Sequence, residues 1–108
     1  MSDHVKRYLP VLKRIRRMGE RAKRQYIRKC DTEFINCVSE CAKNVIKGNV
    51  PLNDCQMTNL RRKRNDLRAL SRKKTSLRTK RKIIQKGGLL TALLPPVLAV
   101  LGSLLFQD

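Results

Sequence analysis

Residues 32–47 read TEFINCVSECAKNVIK, and this stretch decides the fold. Phe34, Val38, Cys41 and Val45 recur at helical spacing and form one apolar stripe, which Ile35, Ala42 and Ile46 widen. Asp31 or Thr32 can cap the helix, and Glu33 places an anion in its first turn. Lys47-Gly48 supplies the ending that a helix C-terminus favours.

Outward from this segment toward the C-terminus, PLNDCQM (51–57) is the sharpest start signal in the chain. Asn53 can cap while Gln56 reaches back three residues as a capping box, and Leu52 with Met57 has the spacing of a hydrophobic staple. The helix is expected to continue through Leu60, Leu67 and Leu70. Ser71 and Arg72-Lys73-Lys74 then mark a turn, and a further helix from about Thr75 carries Leu77, Ile83 and Ile84 to Gly87-Gly88. Toward the N-terminus, Val5, Leu9, Leu12, Ile15 and Met18 space one basic helix. It starts near Pro10, weakens at Gly19, and continues to Lys29 on propensity alone.

The expected fold class is all-α: a small three- to four-helix unit with a basic N-terminal helix and an apolar C-terminal tail. The expected division is a basic arm 1–30, a helical domain 31–86, and a Gly-Gly junction with hydrophobic tail 87–108. At 108 residues with 4% aromatics and no Trp, any core is small and aliphatic.

Charge is partitioned along the chain. Residues 1–30 carry eleven basic and two acidic side chains, residues 31–60 two and four, and residues 61–88 thirteen and one. A solvated helix face normally interleaves signs, because like charges three or four residues apart destabilise it. Thirteen cations against Asp66 alone therefore call for a polyanion, and nucleic acid is the commonest one. The expected phosphate ligands are Arg61, Arg62, Lys63, Arg64, Arg68, Arg72, Lys73, Lys74, Arg78, Lys80, Arg81 and Lys82, helped by the basic residues of 6–29. The run 61–88 holds no aromatic residue, so backbone binding of double-stranded DNA is expected over base readout. RRKR and KRK also have the composition of nuclear-import signals.

The tail, LLTALLPPVLAVLGSLLF (89–106), has no charge in eighteen residues. At 1.5 Å per residue it spans about 27 Å, the lower limit for a bilayer crossing. Pro95-Pro96 divides it, so two short helices are expected, 89–94 and 97–106. Docking on protein or transient membrane contact through 89–106 is favoured over a stable span. The rival function is a membrane-active or tail-anchored basic protein whose cations contact anionic lipid.

No enzyme is expected. One histidine, His4, and scattered acids offer no acid/base couple. The N-terminal residues lack a signal-peptide stretch, which points to reduced thiols. Cys30, Cys37, Cys41 and Cys55 lack a Cys-x-x-Cys spacing and read as core residues, with a zinc site or disulfide as the alternative. No metal or other cofactor is expected.

Lys86-Gly87-Gly88-Leu89-Leu90 followed by Leu93-Leu94-Pro95-Pro96-Val97-Leu98 resembles the adenovirus core protein X (Mu) precursor family over about residues 80–104. CAKNVIKGNVPLNDCQ (41–56), LRRKRNDLRAL (60–70), KKTSL (73–77) and KRKIIQKGG (80–88) resemble small basic proteins of adintoviruses and Polinton-type elements over about residues 31–106. The resemblance implies a virion component that condenses packaged DNA in the host nucleus, with capsid proteins and a viral cysteine protease as partners. It also implies maturation at Gly87-Gly88 by cleavage after Gly88. Four residues before that cut the family's protease prefers Met, Ile or Leu, and the residue here is Gln85.

Overall fold

The computed structural model describes residues 3–86 and 88–105, with side chains described over 5–86 and 88–101. The chain is all-α, with eight helices and no strand among the described residues. They are α1 (Asp3–Arg7), α2 (Leu9–Arg17), α3 (Glu20–Lys29), α4 (Thr32–Ile46), α5 (Asp54–Arg62), α6 (Arg64–Ser71), α7 (Leu77–Gln85) and α8 (Gly88–Leu105). The expected three or four helices are thus subdivided, and the N-terminal basic helix is three.

Each division has a local cause. Pro10 stands in the first turn of α2, where its missing N–H costs nothing. Gly19 is extended and caps α3. Lys63, at φ −110° and ψ 21°, separates α5 from α6 in the middle of Arg61-Arg62-Lys63-Arg64. Four successive cations repel one another along a helix, and the break falls between Leu60 and the Leu67–Leu70 pair, all three of them buried.

Helix α4 is the centre. Asp31 Oδ1 accepts from the Phe34 amide at 2.9 Å, and Gly48, at φ +81°, turns the chain away after it. Phe34, Ile35, Cys37, Val38, Cys41, Ala42 and Val45 are all buried. Tyr26 meets Phe34 edge-on at 5.4 Å and Tyr8 tilts against it at 6.0 Å, which ties α3 and the α1–α2 junction to α4. Ile27, fully buried, supplies the apolar contact for α3 that the spacing beyond Met18 did not promise. The capping box at α5 forms as expected, Gln56 N to Asn53 Oδ1 at 2.8 Å and Asn53 N to Gln56 Oε1 at 3.1 Å.

Helix α8 departs from expectation. It runs unbroken through Pro95 and Pro96 where two short helices were expected. Leu89, Leu90, Leu93, Leu94, Val97, Leu98 and Leu101 are at most 7% exposed, packed against α2, α4, α5 and α7. Proline's fixed φ is compatible with a helix, and burial on both sides of the pair offsets the two lost backbone bonds. The radius of gyration is 12.9 Å, the value of about 13 Å for a folded chain of this length. The apolar segment is therefore inside the fold. Among the described residues no single helix is long and apolar enough to cross a membrane.

Candidate nucleic-acid interface

Helices α5, α6 and α7, with Lys63 between the first two and the turn that joins the last two, carry the cations singled out by sequence. Nine of the twelve are exposed: Arg61, Arg62, Arg64, Arg68, Arg72, Lys73, Lys74, Arg78 and Lys82. Lys63 is half-buried and lies over Gly88, where an added Cβ would meet its Nζ at 2.5 Å. Within residues 61–86 the only acid is Asp66, itself half-buried. Arg61, Arg64 and Arg68 recur at helical spacing and rim an apolar groove floored by Ile46, Met57 and Leu60.

Two of the twelve turn inward. Arg81 Nη1 donates to the carbonyls of Ile27 (3.0 Å), Arg28 (3.2 Å) and Cys30 (2.7 Å), capping the C-terminal end of α3 with a cation. Lys80 is buried between α7 and α4. Its Nζ donates to Ser39 Oγ at 2.9 Å, and Ser39 in turn donates to the Leu70 carbonyl. Burial, with the Lys43 charge added, holds the Lys80 ammonium below its usual range. The nine exposed cations are legible in sequence as a run of one sign, but the inward turn of these two is not, because their partners are 41 to 54 residues away in the chain.

An open recess of about 360 Å³ lies beside Lys80, lined also by Ser39, Glu40, Lys43, Lys47 and Lys73. Lys43 and Lys47 were not among the expected ligands. Their spacing with Ser39, at i, i+4 and i+8 from α4 into its C-cap, is the signal that marks one polar edge running away from the apolar stripe.

The N-terminal helices present a second basic surface. Lys13, Arg16 and Arg17 border a recess with Gln56 and the Pro95–Ala99 side of α8, and Arg21, Arg24 and Arg28 line another along α3. Lys23 faces inward, 4.0 Å from Glu20 and 3.5 Å from Thr91 Oγ1.

No exposed aromatic accompanies these surfaces among the described residues. Desolvation and the nearby carboxylates of Asp31 and Glu33, 3.4 and 3.3 Å from its hydroxyl, push the Tyr8 phenol up to about 12. Tyr26 is raised by burial. Cys30, Cys37 and Cys41 are buried free thiols, and Cys55 is exposed. The Cys37 hydrogen bond and burial push the Cys41 thiol up, and burial does the same to Cys30, so neither is a thiolate at neutral pH. No three His, Cys, Asp or Glu side chains cluster as metal ligands among the described residues.

Gly87 lies outside the described residues. Gly88 opens α8 and the following Leu89 is buried, so a protease cutting after Gly88 needs this first turn unwound. No protein-family model, curated protein or solved structure matches the chain.

Proposed function

We propose that this chain is a non-enzymatic virion core protein that binds and condenses double-stranded DNA through its phosphates, without reading sequence. The observation that carries the reading is the one-signed surface of residues 61–82, nine exposed cations with one half-buried carboxylate, Asp66, among them. Such a surface is self-repelling until counterions or phosphates lie against it. Release of those counterions gives binding its free energy and its salt dependence. The absence of base readout follows from the aromatics, since Tyr8 and Tyr26 are both engaged with Phe34. The virion context, a capsid link and cleavage after Gly88 rest on the resemblance of residues 80–104 and 31–106 described above.

The test is a titration of duplex DNA across salt. With eight to ten phosphates engaged, log affinity should fall with log salt at a slope of about −7 to −9. Scrambled and random duplexes should bind alike. Absent or salt-insensitive binding overturns the reading. Liposome flotation with anionic vesicles is the companion measurement, and association with lipid but not DNA would favour the membrane-active alternative.

A further inference from the structure

Lys80 sits where an ammonium is costly. It is 6% exposed, and Ser39 Oγ is its one hydrogen-bond partner among the described residues. The Ser39 hydroxyl already donates to the Leu70 carbonyl, so it serves Lys80 as acceptor only. An ammonium has three N–H donors, which leaves two for the recess that Lys80 lines. Lys43 and Lys47 from α4 and Lys73 from the α6–α7 turn face the same space, and Glu40 is the one carboxylate on its wall.

Four lysines against one carboxylate make a concavity with a positive potential, and the low-dielectric wall behind Lys80 strengthens it. Burying a cation beside another cation is unfavourable unless a third, negative group neutralises both. A tetrahedral anion would accept from Lys80 and Lys43 together. The recess, about 360 Å³ and open to solvent, has room for a phosphate and its remaining hydration.

We propose that this recess is a phosphate-binding site in which Lys80 and Lys43 are the direct ligands and Lys73 and Lys47 guard the rim. It deepens the DNA reading by assigning one seat for a backbone phosphate, and its chemistry is the same for a free phosphate. The buried lysine makes the site directional, unlike the exposed cations around it, which bind by charge density alone.

Pyrophosphate, titrated calorimetrically into the full chain at constant ionic strength, is the probe. One-to-one saturable binding with a raised unfolding temperature is expected. Lys80→Met should weaken it by about tenfold or more, the loss of one charge-assisted contact. Lys43→Gln, at a half-buried position that leaves the Lys80–Ser39 bond in place, should do the same if Lys80→Met does not fold. Lys86→Gln, an exposed cation outside the recess and outside the expected phosphate ligands, should bind pyrophosphate as the parent does. Non-saturable binding, or wild-type affinity in folded Lys80→Met or Lys43→Gln, overturns the site and leaves Lys80 as a tie between α7 and α4. A duplex arm distinguishes the sources. Competition between pyrophosphate and duplex, with a salt slope smaller by about one in Lys43→Gln, identifies a backbone phosphate. Pyrophosphate binding that duplex does not displace identifies free phosphate, with the site intact. Loss of duplex binding altogether with pyrophosphate binding retained defeats the proposed function but not this site.

Discussion

Helices α4 and α8 are the two most buried helices of the molecule, and they reach that state by different routes. Helix α4 is amphipathic, capped at Asp31 and terminated at Gly48, so its order begins with contacts three or four residues apart. Helix α8 has no charge, no favourable first-turn acid and two internal prolines, and it is helical because α2, α4, α5 and α7 surround it. The difference teaches that local signals can start a helix while only packing can sustain one that its own backbone opposes.

Core truncation should hurt both helices about equally, because both are packed by the same kind of contact. Phe34→Ala, at 1% exposure and with two rings against it, should cost about 3–5 kcal/mol, and Leu93→Ala, at 0%, about 2–5 kcal/mol. Urea unfolding monitored by circular dichroism measures both. A Leu93→Ala variant with unchanged stability would mean that α8 is not part of the cooperative unit.

The comparison sharpens at Pro95, half-buried on the outer side of α8. Pro95→Ala restores the backbone donor to the Thr91 carbonyl and should raise stability by as much as about 3 kcal/mol. An Ala→Pro change inside α4, for instance at Ala42, should do the reverse. If Pro95→Ala is neutral, the helix is accommodating its prolines without cost. Loss of the α4 cap is a smaller break: Asp31→Ala should cost about 0.5–2 kcal/mol, visible as a lower denaturation midpoint with an unchanged slope.

The smallest expected effect is a pH dependence centred on Lys80. Its folded-state ammonium is held below the ordinary value, so the unfolded chain binds the proton more tightly. The resulting penalty is full below the folded pKa and is relieved as pH rises through it toward 10.5. The raised thiols of Cys30 and Cys41 and the raised phenols act in the opposite sense once their unfolded counterparts ionise. The readout is therefore the stability difference between the parent and Lys80→Met, which should shift in favour of the parent as pH rises. A difference that is flat with pH would show that Lys80 carries no burial penalty.

Much of the fold was legible. The cap at Asp31, the capping box of Asn53 and Gln56, the turn at 72–74 and the inward stripe of α4 all follow from residues within one or two helical turns of one another. Other features were not. The break at Lys63 depends on where Leu60 and Leu67 must each point. Ile27 was overlooked because a single apolar residue has no periodicity. Leu77, placed on the apolar stripe of α7, is 42% exposed. For the candidate interface, the exposed cations were legible as a run of one sign, while Arg81 and Lys80 look identical to their neighbours in sequence and are distinguished only by what packs opposite them.

By itself the sequence determined that this chain is helical and that its charge is segregated, since both follow from short-range geometry and from counting side chains. Tertiary structure decided that the apolar segment lies inside the fold as one helix and that Lys80 faces a recess with Lys43. Burial and electrostatic pairing depend on residues distant in the chain, and no local pattern encodes which of them will meet.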